Sequence, residues 1–246
     1  MRYNVYMQNK VVVITGASQG LGKELSLQLA KLGAKIALVA RSEKLLVEVK
    51  KEINDNGGTA EYFVCDVTDV DAINLTVSKI MDTFKTVDVL VNNAGVWTAD
   101  YLEEKDKNLV EKTFMVNSVG PINFYKAVSP IFEKNKKGHF VFINSIWGLN
   151  LPETKDGLVY TATKWAMTGF ANALKYKYGG TDIKLTSIFP GPFVSNIDKN
   201  AGDDFGDDES KEMKTSEVAD AVIYALNATG KMQIGDIELK YTNWNS

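Results

Sequence analysis

The sequence predicts one α/β domain built on a doubly wound parallel sheet of about seven strands, with helices on both faces. Three observations carry that prediction. Short β-branched apolar runs alternate with longer amphipathic stretches along the 246 residues. That is the rhythm of βαβ units, whose right-handed crossovers leave neighbouring strands parallel. The first apolar run, Val11-Val12-Val13-Ile14, has no polar alternation, as expected of a strand covered on both faces. Glycines and prolines fall at the joints and no low-complexity linker divides the chain, so residues 1–246 are read as one domain.

Taken in order, strands are expected at 11–15, 35–40, 60–65, 87–92, 139–144, 182–189 and, with a weaker pattern, 234–240. Helices are expected near 20–32, 42–56, 69–85, 105–134, 158–178 and 215–229. One stretch breaks the rhythm. Between Asn196 and Glu217 stand eight acids and three lysines, a net of −5 that leaves +2 for the rest of a chain whose total is −3. A polar, glycine-containing insertion of this kind is expected to be a mobile acidic lid over 196–214.

Composition excludes several function classes. A hydrophobic fraction of 45% and a charged fraction of 24% match an ordinary globular protein and exclude long disorder, collagen and mini-protein scaffolds. With 28 basic and 31 acidic residues there is no polycationic footprint for nucleic acid. One cysteine, Cys65, and one histidine, His139, leave no internal disulfide, no cysteine-based zinc site and no histidine-rich metal cluster. No metal is expected. No leader and no run near the roughly 18 apolar residues of a membrane span is read, so the expected location is the cytoplasm, with no membrane partner.

The first expected strand runs straight into Thr15-Gly16-Ala17-Ser18-Gln19-Gly20-Leu21-Gly22, and a helical pattern follows. Strand, glycine turn, helix is the context in which glycines let backbone approach a pyrophosphate and helix-start N–H groups attract its charge. The spacing is G-x-x-x-G-x-G, and in this place it makes the fold Rossmann-type and the ligand a dinucleotide. About 20 residues on, an NAD site would place Asp or Glu on the ribose hydroxyls. Ala40, Arg41 and Ser42 stand there instead. Ala40 brings no carboxylate to repel a 2′-phosphate and Arg41 supplies a planar donor fork for it. The expected cofactor is NADP(H).

Tyr160 and Lys164 are i and i+4 on an expected helix and share a face. An ammonium close by favours phenolate and lowers the tyrosine pKa from about 10, making Tyr160 a proton donor to a carbonyl or acceptor from an alcohol. Ser145, at the carboxyl end of its strand, is placed to hydrogen-bond the same oxygen. With hydride coming from a nicotinamide, neither metal nor nucleophile is required.

These residues occur in one order. After the glycine turn come Asn92-Asn93-Ala94-Gly95, Asn117, Ser145, Tyr160-Thr161-Ala162-Thr163-Lys164 and Pro190-Gly191. In that order and spacing the sequence resembles the classical short-chain dehydrogenase/reductase family over essentially its full length. The resemblance implies a catalytic set of Asn117, Ser145, Tyr160 and Lys164, with Lys164 also holding the nicotinamide ribose and Asn117 anchoring a water relay to it. It implies cofactor contacts from Gly16, Ser18, Gln19, Gly20, Leu21 and Gly22, with Asp66 and Val67 at the adenine. Asn92, Asn93, Ala94 and Gly95 would flank the adenosine ribose. Pro190, Gly191 and Val194 would lie at the carboxamide, and Ser195 stands where the family often has threonine. Ser145 and Tyr160 are 15 apart, more than is usual in the family, so the loop 150–157 is expected to absorb two extra residues.

Trp97, Trp147 and Phe193 resemble substrate-facing positions, so an apolar or aromatic pocket is expected beside Ser145. The expected reaction is hydride transfer between NADPH and a ketone, aldehyde or secondary alcohol, a small-molecule substrate. A 3-hydroxy-acid or 3-ketoacyl-type reductase of the same family, and a non-catalytic NADP(H)-binding sensor or scaffold, are the alternatives. The stretch 162–174 is apolar nearly all round, a helix expected to bury one face on the sheet and the other on a second subunit of a homodimer or homotetramer.

Overall fold

The structure, a computed structural model, describes residues 7–97, 108–150, 157–194 and 212–241. Its seven strands form one parallel sheet: β1 (Val11–Thr15), β2 (Lys35–Ala40), β3 (Thr59–Val64), β4 (Val89–Asn92), β5 (Gly138–Ile143), β6 (Ile183–Pro190) and β7 (Asp236–Leu239). The order is β3-β2-β1-β4-β5-β6-β7, and every pairing is parallel. Winding therefore reverses between β1 and β4, and the carboxyl ends of those two strands border the crevice where such sheets bind ligands.

The unbroken apolar strands are buried because both faces are covered. Val12 and Ile14 of β1 belong to one core cluster and Val13 to the other. On the first face pack α1 (Gly20–Lys31), α2 (Glu43–Asp55) and α7 (Thr215–Leu226), through Leu25, Val49 and Val222 among others. On the second pack α3 (Val70–Phe84), α5 (Gly120–Asn135) and α6 (Leu158–Lys177), through Ile80, Phe124 and Met167. Each such fully buried side chain contributes about 1.5–3 kcal/mol.

Element edges differ from the sequence reading where side chains intervene. The strand expected from 87 begins at Val89, because the Asp88 carboxylate accepts from the Val11 N–H at 3.0 Å and from Lys10 Nζ at 3.1 Å. The helix expected over 105–134 is two helices, α4 (Leu109–Phe114) and α5, joined by a π turn over Met115–Val119. On α6 the residues Thr163, Met167, Ala171 and Leu174 are buried, whereas Leu158 and Trp165 on its outer side are 45% and 44% exposed. The first of the two faces expected to be covered is thus covered by the sheet. The expected lid lies outside the described residues over 196–211, as do Ser195 and the loop residues 151–156.

Candidate active site

The β1–α1 turn is shaped by close backbone approach. A Cβ on Gly22 would lie 2.2 Å from the Gly16 carbonyl oxygen, and one on Gly16, at φ +67°, would lie 2.9 Å from Asn93 Nδ2. Gly20 is different. It has φ +53°, and a Cβ there would meet nothing within 4 Å, so the space above it is open. It opens α1, whose first turn has no acidic residue and whose preceding residue, Gln19, makes no side-chain cap. The result, among the described residues, is a helix start that Gln19 does not cap and whose first turn carries no negative charge, the arrangement that suits a pyrophosphate.

Thr15, which the sequence reading did not single out as a site residue, ties this turn to β4. Its Oγ1 accepts from the N–H groups of Asn93 and Ala94, both at 3.0 Å. Asn93 Nδ2 in return donates to the Thr15 carbonyl at 2.8 Å. A hydroxyl at the carboxyl end of a buried strand was the signal available. The crevice between β1 and β4 is thereby held at a fixed width.

At the end of β2, Ala40 is buried and Arg41 is exposed. Ser42 precedes α2 without capping it, and among the described residues neither Arg41 nor Ser42 engages its side chain in a hydrogen bond or ion pair. Beyond β3, the Asp66 carboxylate accepts from the Thr68 N–H and Oγ1 at 2.9 and 2.8 Å. The carbonyl of Val67 sits where a Cβ on Gly120 would reach within 2.7 Å, so this segment rests directly on the start of α5.

The four expected catalytic residues are held together by a hydrogen-bonded frame. Asn117 lies in the π turn, a feature that often marks functional sites, and is buried at 2% exposure. Its Oδ1 accepts from the Val96 N–H at 2.8 Å and its Nδ2 donates to the Val96 carbonyl at 2.9 Å. The same amide donates to Thr163 Oγ1 at 3.2 Å, and Thr163 in turn donates to the Tyr160 carbonyl at 2.6 Å. On the other side, Asn144 Nδ2 donates to the Lys164 carbonyl at 3.2 Å and to Thr168 Oγ1 at 2.9 Å, and Thr168 donates to the Gly148 carbonyl at 2.8 Å. Ser145, just after β5, is thus stitched to α6. Thr163, Asn144 and Thr168 were not anticipated, since hydroxyls and amides of this kind carry no local signature of a long-range partner.

Lys164 is buried at 7% exposure. Its Nζ donates to the Ile143 carbonyl at 3.2 Å and lies 5.3 Å from the centre of the Tyr160 ring. Burial pushes its pKa down to about 8. Ser145 Oγ accepts from the Trp147 N–H at 3.2 Å, and the Trp147 ring meets the Tyr160 ring edge-on with centres 5.8 Å apart. Trp97 stands 4.9 Å from Trp147 and 4.8 Å from Tyr160. The expected substrate residues Trp97 and Trp147 are therefore at the site with Ser145 and Tyr160. Phe193 packs instead on the core cluster of the first face and pairs with Met213. Gly191 continues the pairing to β7 through its N–H to the Leu239 carbonyl at 2.8 Å. Val194 is 42% exposed, with its N–H on the Met213 carbonyl at 2.9 Å.

His139 takes no part. It lies at the amino end of β5, away from the carboxyl ends that build the site, with Nε2 2.8 Å from Thr186 Oγ1. Burial pushes its pKa down to about 3, keeping it neutral. Among the described residues no group of His, Cys, Asp and Glu could hold a metal ion, and no helix is long and apolar enough to cross a membrane.

Known proteins resemble this chain in sequence and fold. A family model for short chain dehydrogenases matches residues 10–205. An uncharacterized oxidoreductase of Staphylococcus saprophyticus is 32% identical over 238 residues, covering 96% of this chain and 99% of that protein. An alcohol dehydrogenase of the archaeon Thermococcus sibiricus, solved with 5-hydroxy-NADP, superimposes with a TM-score of 0.88 at 26% identity, covering 97% of this chain and 99% of its own. A variant of the actinorhodin polyketide ketoreductase, solved with NADPH, gives a TM-score of 0.85 at 26% identity over 94% of this chain and 96% of its own. Fold and sequence both match: the chain belongs to the short chain dehydrogenase family of oxidoreductases.

Proposed function

We propose that the protein is an NADP(H)-dependent carbonyl reductase or alcohol dehydrogenase in which Tyr160 transfers the proton. The observation that carries this reading is the Tyr160–Lys164 pair, a buried ammonium 5.3 Å from the phenol ring centre, joined by short hydrogen-bonded paths to Ser145 and Asn117. The open space above Gly20 and the uncapped, acid-free start of α1 fit a dinucleotide pyrophosphate. The exposed Arg41 and half-buried Ser42, whose side chains have no partner among the described residues, fit a 2′-phosphate beside the carboxylate-free Ala40, and the two solved relatives named above were captured with NADP-type molecules.

When bound, the cofactor supplies or accepts the hydride. The chain's own residues handle the oxygen. Tyr160 donates its hydroxyl proton to a carbonyl oxygen during reduction and takes one from an alcohol during oxidation. Ser145 Oγ hydrogen-bonds that oxygen as charge builds on it. Lys164 lowers the cost of the phenolate through its charge, most effectively because the surrounding dielectric is low. Asn117 holds the Val96 backbone and, through Thr163, the first turn of α6.

The test is oxidation of NADPH and of NADH with acetophenone, cyclohexanone, benzaldehyde and acetoacetate, followed by absorbance. Turnover of at least one carbonyl with preference for NADPH is expected, and in Arg41→Ala the NADPH affinity falls by about 1.5–3 kcal/mol while NADH is little affected. Equal loss for both cofactors would contradict the role given to Arg41, and no turnover with either would contradict the reaction.

A further inference from the structure

We propose that Trp97 is a positioning residue for Tyr160, acting with Trp147 across Gly157 to hold the first turn of α6 in place. The inference rests on Tyr160 being the proton donor. Tyr160 is the third residue of α6, within its first turn. The residue before the helix is Gly157, in the left-handed region at φ +76°. Its carbonyl accepts the first helical bond, from the Thr161 N–H at 2.8 Å. A Cβ at this position would lie 2.5 Å from Trp147 Cζ3 and 2.7 Å from Trp97 Cη2. Two indoles therefore lie directly against the backbone that begins the helix and fix its position by packing.

The same indoles meet the phenol. Trp97 contacts the Tyr160 ring edge-on with centres 4.8 Å apart at 63°, and Trp147 does so at 5.8 Å and 77°, within the range of favourable aromatic pairs. Trp97 is itself anchored, because both backbone groups of the preceding Val96 are bonded to the Asn117 amide. A chain of contacts thus runs from the π turn through Val96 and Trp97 to the phenol. Trp97 is only 9% exposed and lies edge-on to the phenol, so it covers that side of the ring against water, whose access shifts the phenol's titration.

Trp97 therefore affects both the placement of Tyr160 and its titration, and a residue that merely filled space elsewhere in the core would not move the second. The experiment follows the Tyr160 Cζ resonance through a pH titration of the apo protein labelled at tyrosine Cζ, with Tyr160→Phe identifying the signal among the ten tyrosines. In Trp97→Ala, or in Trp97→Leu should the alanine chain not fold, the midpoint moves by about half a unit or more, as water reaches both the ring and the Lys164 ammonium 5.3 Å from its centre. Trp97→Phe restores it. With the carbonyl that wild type turns over, kcat in the alanine or leucine chain falls by about 10- to 100-fold, the scale of a small misplacement of a reacting group, while NADPH affinity is retained. A midpoint that stays put in all three variants, or a kcat that Trp97→Phe fails to recover, overturns the proposal. Turnover that survives in Tyr160→Phe would instead overturn the reading of Tyr160 on which it rests.

Discussion

Two helices start at this site with a glycine in the left-handed region, Gly20 as the first residue of α1 and Gly157 just before α6, and the two glycines serve opposite ends. At Gly20, φ +53°, the direction a Cβ would take is empty; at Gly157, φ +76°, it is filled by two indole rings. Both positions exclude most residues on backbone grounds alone. The first leaves an open direction among the described residues, beside a helix start that Gln19 does not cap. The second leaves room for the chain's own side chains, which close over the helix start and reach the phenol beyond it. A glycine at a helix start can thus mark a binding surface or a packing joint, and only the surroundings distinguish them.

Replacing each glycine with alanine separates the two roles. Gly157→Ala forces a Cβ into Trp97 and Trp147 at a positive φ, and stability is expected to fall by about 2–4 kcal/mol, strain and overpacking together. Turnover falls with it, but the NADPH affinity of the folded fraction is retained. Gly20→Ala meets no protein atom, so the stability loss is only about 1 kcal/mol, whereas NADPH affinity falls by about 10-fold or more, since a displaced contact of 1.4 kcal/mol already gives that factor. Thermal unfolding together with NADPH titration checks both. The same ratio of affinity loss to stability loss in the two variants would erase the distinction.

A smaller effect belongs to Lys164. Its ammonium is harder to keep in the folded protein, with pKa about 8 against an ordinary 10.5. Between those pH values the unfolded chain holds more protons than the folded one, so this group's contribution to stability rises with pH across that window. Below pH 8 both states are protonated and the folded state bears the full desolvation cost. Lys164→Met is therefore expected to stabilise the apo protein at pH 7 by about 2–3 kcal/mol and to remove that rise, at the expense of activity. Denaturant unfolding of both proteins at pH 7 and pH 10 measures this, and a Lys164→Met chain less stable at pH 7 would show that the ammonium's bond to the Ile143 carbonyl outweighs its burial. Such a trade of stability for a charged group at the reaction centre is common in active sites.

What the sequence disclosed was what is local in the chain. The Tyr160–Lys164 spacing, the glycine turn after β1 and the carboxylate-free end of β2 each lie within a few residues, and the structure places them as their spacing implies. The alternating pattern likewise gave the sheet and its two covered faces. Contacts between distant segments left no such mark. Gly157 reads as a loop glycine until Trp97, 60 positions earlier, and Trp147 are seen to lie on it. The π turn at Asn117 was hidden inside one long helical pattern, because an extra residue in a helix shifts the periodicity only slightly. Phe193 resembles a pocket residue by position, yet it packs with Met213 on the core of the first face, a partner 20 residues away across the acidic stretch.

In the proposed function the proton passes through Tyr160, while the dinucleotide is held independently by the β1–α1 turn and the end of β2. Tyr160→Phe tests this most directly, because it removes one oxygen and keeps the ring between Trp97, Trp147 and Lys164. Turnover with NADPH is expected to fall by about 10²–10⁴-fold, the usual contribution of a general acid, with NADPH affinity and thermal stability close to wild type. Turnover that persists at the wild-type rate would contradict it.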